Sequence, residues 1–147
     1  SKCIGCAECI AVCPEKAVAI RWNQSTDTCQ MKMVEYAKAV ALTKPGRMGY
    51  VNFITDVHPV CDCYGTAKVP ISPDVGVVAS LDPIAIDQAS YDLVNDAPAT
   101  KDGGLSDAYR QGGDKFRDLH PDVDPTVQLR HGEDIELGTR NYELVEI

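Results

Sequence analysis

The chain has 147 residues, of which 44% are hydrophobic, and a formal net charge of −8. This length and composition are typical of one globular domain with a core of its own. No apolar run approaches the roughly 18 residues that a membrane-spanning helix needs, which argues against a membrane span. The negative charge argues against nucleic-acid binding, because phosphate backbones attract basic surfaces.

The charge is unevenly divided along the chain. Residues 1–60 carry a net charge of +2, and residues 61–147 carry a net charge of −10. An acidic surface can steer a basic redox partner toward the protein. The alternative is that the acidic residues only increase solubility.

The predicted chain alternates between short strands and helices. Strands are predicted where β-branched and aromatic residues concentrate, and helices where apolar residues recur every three or four positions. Asp82 is the predicted N-cap of one helix, with Pro83 as its first residue. The alternation predicts an α+β or α/β fold, in which a ferredoxin-like cluster loop is attached to a mixed core. The predicted elements are a strand over 17–22, a helix over 29–43, a strand over 49–57, a buried strand over 75–80, helices over 83–95, 105–119 and 126–131, and a strand over 141–147.

The seven cysteines are an odd number, whereas secreted disulfide scaffolds usually carry an even number. Four of them lie within eleven residues, which is a metal-cluster spacing. The sequence opens on these cysteines without a recognisable signal peptide. We therefore expect a cytoplasmic protein in a reducing or anaerobic setting, where thiolates stay available as ligands.

Cys3, Cys6, Cys9 and Cys13, followed by Pro14, match the bacterial ferredoxin run C-x2-C-x2-C-x3-C-P. Three thiolates spaced by two residues can wrap one cubane, while loop N–H groups point at its sulfurs. The motif predicts a [4Fe–4S] cluster. A zinc site is the alternative, but this spacing suits tetrahedral zinc poorly.

The fourth ligand of the Cys3, Cys6 and Cys9 cluster is open. In two-cluster ferredoxins the fourth cysteine of each run, here Cys13, ligates the other cluster. Two all-cysteine clusters would need eight thiolates, and the chain has seven. The chain belongs to a longer protein with another motif, or it holds one cluster closed by Cys13 or a distant cysteine, or a second cluster has an incomplete or non-cysteine ligand set. We favour the first explanation, because a ferredoxin fold normally has a strand before the motif and only Ser1 and Lys2 precede Cys3 here.

Cys61 and Cys63 form a second, less specific motif, Cys-Asp-Cys. The pair could chelate a second metal, form a substrate site or supply the missing cluster ligand, and His58 is a possible further ligand. The alternative is two reduced cysteines in a loop. Cys29 is predicted to be structural.

Three aspartates, Asp74, Asp82 and Asp87, surround the predicted strand over 75–80. Carboxylates at a strand end can bind a cation or act as acid and base. The alternative roles are structural: Asp82 as a helix cap, and Asp74 in a turn.

Several specific segments extend through nearly the whole chain, at residues 3–14, 51–57, 61–63, 69–76, 82–90 and 137–147. In these segments the chain resembles the C-terminal half of the DUF362 family of iron–sulfur-centre proteins. The resemblance implies that an N-terminal region and a first ferredoxin motif are missing. It implies a ferredoxin-type segment over residues 1–28, as part of a larger insert, and the C-terminal portion of a DUF362-type α/β domain over 29–147. It also implies that Cys-Asp-Cys belongs to the family pattern.

Three functions follow from these motifs. The first is single-electron transfer to a redox partner protein or to a site in the missing N-terminal region, through one or two [4Fe–4S] clusters. The second is a cluster-fed oxidoreductase with its metal or substrate site at Cys61 and Cys63. The third is a binding module with a structural cluster. Whether the protein is an enzyme is left open.

Overall fold

The computed structural model describes residues 8–18, 25–61 and 69–147. Within these residues the chain combines five helices with one small antiparallel sheet, which is the mixed α+β character that the sequence predicts. No helix in these three ranges is long and apolar enough to cross a bilayer. In chain order the elements are α1 (Glu8–Val12), α2 (Thr26–Leu42), β1 (Tyr50–Ile54), β2 (Gly76–Ser80), α3 (Pro83–Asp96), α4 (Lys115–Leu119) and α5 (Val127–Asp134).

Helix α2 begins earlier than predicted because Ser25 caps it. The Ser25 hydroxyl accepts the backbone N–H of Thr28 at 3.2 Å and so satisfies one of the unpaired donors of the first turn. One side of the helix packs against α5 and buries Val34. Lys38 Nζ on the same side donates to the carbonyl of Ile135, just after α5. The opposite side exposes Met33, Tyr36 and Val40.

Strands β1 and β2 pair antiparallel, with Asn52 opposite Val78. The inner face of this sheet lies on α3, where Ile54 joins Ile71 and Val94 in a buried core. No element among the described residues covers the outer face, so β2 alternates between half-buried and exposed residues instead of being buried as predicted. The outer face exposes Val51, Phe53 and Val77, at 54%, 73% and 57%.

Helix α3 begins as predicted, with Asp82 as N-cap and Pro83 in the first turn. One oxygen of Asp82, Oδ1, accepts the N–H groups of Ile84 at 2.8 Å and Ala85 at 3.0 Å. The other, Oδ2, accepts the N–H of Thr139 at 2.9 Å. The residue before it, Gly138, is so close that an added Cβ would lie 2.0 Å from Asp82 Oδ1. The same carboxylate therefore caps the helix and holds the C-terminal segment against it.

The other end of α3 is held by Lys115, whose side chain is fully buried. Its ammonium donates to the carbonyls of Asn95 and Ala97, each at 2.7 Å, and lies 5.4 Å from the centre of the Tyr109 ring. These carbonyls belong to the last turn of a helix, where backbone acceptors have no intrahelical partner and the helix dipole attracts a cation. Lys115 thus joins α4 to the end of α3.

Gly132 lets α5 approach the centre of the fold. A Cβ at this position would lie 2.2 Å from Ile84 Cδ1 and 3.3 Å from Val34 Cγ1. Since these atoms belong to α3 and α2, only a residue without a side chain lets the three helices meet here. This helix, α5, corresponds to the predicted short helix over 126–131, and it begins at Val127 and continues to Asp134.

Two predicted elements are wrong. Only α4 forms within the predicted helix over 105–119, because Ser106 bonds through its N–H and hydroxyl to the Asp118 carboxylate, which closes the segment into a loop. Residues 141–147 form no strand, and all of them are exposed. The prediction of a strand over 17–22 concerns mainly residues outside the described ranges, although Ala17 and Val18 belong to no strand.

Replacement of Lys115 by Met should lower the free energy of unfolding by about 2–3 kcal/mol, because hydrogen bonds to a charged donor contribute about 1.5–3 kcal/mol each and Met restores part of the packing. Urea denaturation would measure the change. Lys101→Met is the matched control, since Lys101 is exposed, and should change stability by less than about 0.5 kcal/mol. Equal stability of the two variants would contradict the role of Lys115.

Replacement of Gly138 by Ala should destabilise the fold by about 1–3 kcal/mol, since the new methyl group displaces the Asp82 carboxylate from its three N–H donors. Gly49→Ala is the control, because the nearest atom to its added Cβ would be Leu81 Cδ2 at 3.9 Å, an ordinary contact. Thermal unfolding of both variants would test this. A Gly138→Ala chain as stable as the Gly49→Ala chain would show that the carboxylate is free to move.

Candidate functional site

The described part of the cysteine motif comprises Cys9 and Cys13. Cys9 lies in α1 and is exposed, and Cys13 follows the end of that helix and is half-buried. Neither thiol is in a disulfide. The two other cysteines of the motif, Cys3 and Cys6, lie outside the described residues, so the full ligand set stays a prediction.

The backbone after Cys13 turns back toward its sulfur. Lys16 has a positive φ of 49° and its N–H donates to the Cys13 carbonyl at 3.1 Å, which closes a tight turn through Pro14 and Glu15. The next N–H, that of Ala17, donates to Cys13 Sγ at 3.3 Å. This hydrogen bond lowers the pKa of the Cys13 thiol, with smaller contributions from the N–H groups of neighbouring residues, against an opposing effect of desolvation.

The second cysteine motif is described only at its start. Cys61 is exposed, as is His58, and Cys63 lies outside the described residues. Among the residues that the structure describes, no three His, Cys, Asp or Glu side chains are grouped so that they could hold a metal ion. A metal site at Cys61 and Cys63 therefore stays a prediction. Cys29, predicted to be structural, is exposed in the first turn of α2.

The three aspartates have separate surroundings. Asp82 follows the end of β2 and is the N-cap of α3, which is the structural role predicted for it as the alternative to acid–base chemistry. Asp74 lies before the start of β2, and its Oδ1 accepts the N–H of Asp56 at 2.9 Å, which supports a turn. Asp87 is exposed on α3 and faces β1. A joint acid–base role for the three is therefore not supported by their positions.

A cavity of about 390 Å³ opens beside β1. Asn52 points into the space between β1 and α3, where its Nδ2 donates to Asp87 Oδ1 at 2.9 Å and to Ser90 Oγ at 3.0 Å. The Ser90 hydroxyl in turn donates to the carbonyl of Ile86 at 2.8 Å. The far wall includes Phe116, which stacks on Tyr91 with 5.2 Å between the ring centres.

Tyr91 is fixed by more than this stacking. Its hydroxyl donates a short hydrogen bond to Asp114 Oδ2. Partial burial raises the pKa of Tyr91 well above its usual range, and the neighbouring Asp114 carboxylate raises it further. The phenol is therefore neutral at physiological pH and its proton is committed to Asp114.

Asn52 and Ser90 form one polar group with Asp87 that was not predicted from the sequence. The spacing of Asp87 and Ser90, three residues apart on a helix, does indicate a shared face. The partnership with Asn52 depends on the packing of β1 on α3, which no local pattern reveals.

A family model described as "Domain of unknown function (DUF362)" matches residues 4–92, which is more than half of the chain. The match includes the cysteine motif from Cys6 onward, Cys61 and Cys63, and all three members of the Asn52, Asp87 and Ser90 group. No curated protein and no solved structure matches the chain. The resemblance to this family is thus confirmed, and the chain belongs to the DUF362 family.

Proposed function

We propose that this chain is an iron–sulfur protein that transfers single electrons through a [4Fe–4S] cluster at the cysteine motif. The proposed cluster ligands are Cys3, Cys6, Cys9 and Cys13, of which Cys13 closes this cluster or ligates a second one. The family description assigns no activity, so the proposal rests on the chain itself. The observation that carries it is the Cys13 sulfur, toward which the backbone N–H of Ala17 points.

The described donor set fits such a group. Thiolates are the ligands that iron–sulfur clusters require, and hydrogen bonds to the sulfurs are one of the protein's means of setting the potential. Cys13 has a lowered pKa, which favours the thiolate, and an N–H donor at 3.3 Å. Cys9 lies four residues earlier and is exposed, so its sulfur is available to a ligand instead of being packed in the core.

A bound cubane would supply a one-electron redox couple. The contribution of the chain is to provide the thiolates, to hold the Cys13 sulfur in one orientation through the turn at Lys16, and to place N–H groups against its negative charge. Electron transfer requires no acid or base, which agrees with the separate structural roles of Asp74 and Asp82.

The proposal includes a partner and a further region of the protein. Exposed apolar patches mark surfaces that other elements cover. The outer face of the sheet and the outer side of α2 are two such surfaces. Their exposure supports a larger assembly, in which we propose that an N-terminal region of the same protein and a redox partner protein cover them. The proposal also includes a cytoplasmic location and one or two clusters. We also propose that residues 1–28 form the ferredoxin-type segment and that residues 29–147 form the C-terminal portion of the DUF362-type domain.

The iron content tests the cluster directly. Anaerobically purified chain should contain about four iron and four labile sulfide for one cluster, or about eight of each for two, and should give a reduced-cluster EPR signal after dithionite. Cys9→Ser should lower the iron and sulfide content, and Cys29→Ser should leave both unchanged. Zinc without sulfide in the unaltered chain would contradict the proposal, and a cluster that resists dithionite would favour the structural alternative.

The Cys13 thiol should titrate at lower pH in the folded, iron-free chain than in urea. A lowered pKa means a larger thiolate fraction near neutral pH, and only the thiolate is alkylated. The rate of Cys13 alkylation by iodoacetamide, followed by peptide mass spectrometry across a pH series, would give both midpoints. The same residue in concentrated urea is the control, because unfolding removes the Ala17 hydrogen bond. A folded midpoint at or above the urea midpoint would show that this turn does not favour the thiolate.

A further inference from the structure

The cavity beside β1 has the size of a small-molecule site. Its volume of about 390 Å³ falls within the range of about 300–1,000 Å³ that is usual for ligand pockets. Most of its lining is apolar, with Ile54, Val94 and Leu129 at the base and the Phe116 ring on one wall. The polar side chains are few and are concentrated near Asn52, which is the usual arrangement for fixing the orientation of a ligand.

Most of the polar side chains that line the cavity have no free hydrogen-bond donor. An amide group has two N–H donors, and both of those of Asn52 are engaged, one by Asp87 and one by Ser90. The only donor of Ser90 is engaged by the carbonyl of Ile86. The only donor of Tyr91 is engaged by Asp114. Gln128 is the exception, because its amide makes no hydrogen bond within the described residues.

The acceptors of the same wall are open. Asn52 Oδ1 and Asp87 Oδ2 accept no hydrogen bond from the described residues, and Asp87 is exposed and lines the cavity. A group that binds beside Asn52 and Asp87 must therefore donate hydrogen bonds, and a positive charge would also pair with the Asp87 carboxylate. A carboxylate or phosphate at this place would meet a like charge and lone pairs.

We propose that this cavity binds a small organic ammonium compound with an apolar, aromatic body. The ammonium donates to Asp87 and to the Asn52 carbonyl, and the body packs among Ile54, Leu129 and Phe116. A single carboxylate is a poor site for Ca²⁺, which takes six to eight oxygen ligands. The described residues also show no metal-binding group of three such side chains. None of the lining residues that the structure describes is a cysteine, so the proposal does not rest on the proposed cluster.

Phenethylammonium is a suitable probe, and 3-phenylpropionate and 2-phenylethanol are its anionic and neutral counterparts. Titration of the ¹⁵N-labelled chain, with the Asn52 side-chain amide as reporter, should show saturable binding of the ammonium compound. The neutral alcohol should bind at least about tenfold more weakly, and the carboxylate should not bind. This comparison uses the unaltered chain and so needs no variant to fold.

Asp87→Asn is the decisive variant, because it keeps the shape of the side chain and removes its charge. It should weaken phenethylammonium binding by about tenfold or more. Asp102→Asn is the matched control, since Asp102 is exposed and does not line the cavity, and it should bind as the unaltered chain does. Absence of saturable binding, equal binding of the carboxylate, or full binding by a folded Asp87→Asn chain would each overturn the proposal.

Discussion

Helix α3 is fixed at both ends by a buried or half-buried charged side chain, and the rest of the described fold depends on it. Asp82 satisfies donors of the first turn and Lys115 satisfies acceptors of the last, so each charge lies where the helix dipole favours it. Each also reaches a distant part of the chain. Asp82 holds the C-terminal segment at Thr139, and Lys115 belongs to α4. The sheet and α5 then pack against a helix whose position is already determined.

The residues beside the cavity and the described cysteines, Cys9 and Cys13, are held in place by different parts of the structure. Asp87 and Ser90 lie in the middle of α3 and are positioned by the core, whereas Cys9 and Cys13 lie on a short helix that buries none of its residues. Around Cys13 the order comes from local hydrogen bonds within a few residues. Ligation chemistry can therefore be set locally there, while the polar group beside β1 requires the whole fold.

The sequence predicts features that depend on neighbouring residues and misses those that depend on distant ones. The start of α3 is correct because Asp82 and Pro83 are local signals. The family is also correct, since its segments are read directly from the chain. The predicted helix over 105–119 forms only at its end, because Ser106 bonds to the Asp118 carboxylate, which closes the segment between them into a loop before α4. The group of Asn52, Asp87 and Ser90 could be predicted only by knowing that β1 lies on α3.

The turn at Cys13 makes this cysteine more susceptible to oxidation when no metal is bound to it. A thiolate reacts with peroxides to form a sulfenic acid, and further oxidation to a sulfinic acid is irreversible in most proteins. The N–H groups that favour the Cys13 thiolate therefore also favour its oxidation, and the sulfur is only partly shielded from solvent. Under the proposed function, a newly made chain would be most vulnerable to oxidation in the interval before its thiolates are ligated. The rate of cluster insertion relative to the rate of thiolate oxidation would then determine how much of the chain carries the proposed cluster.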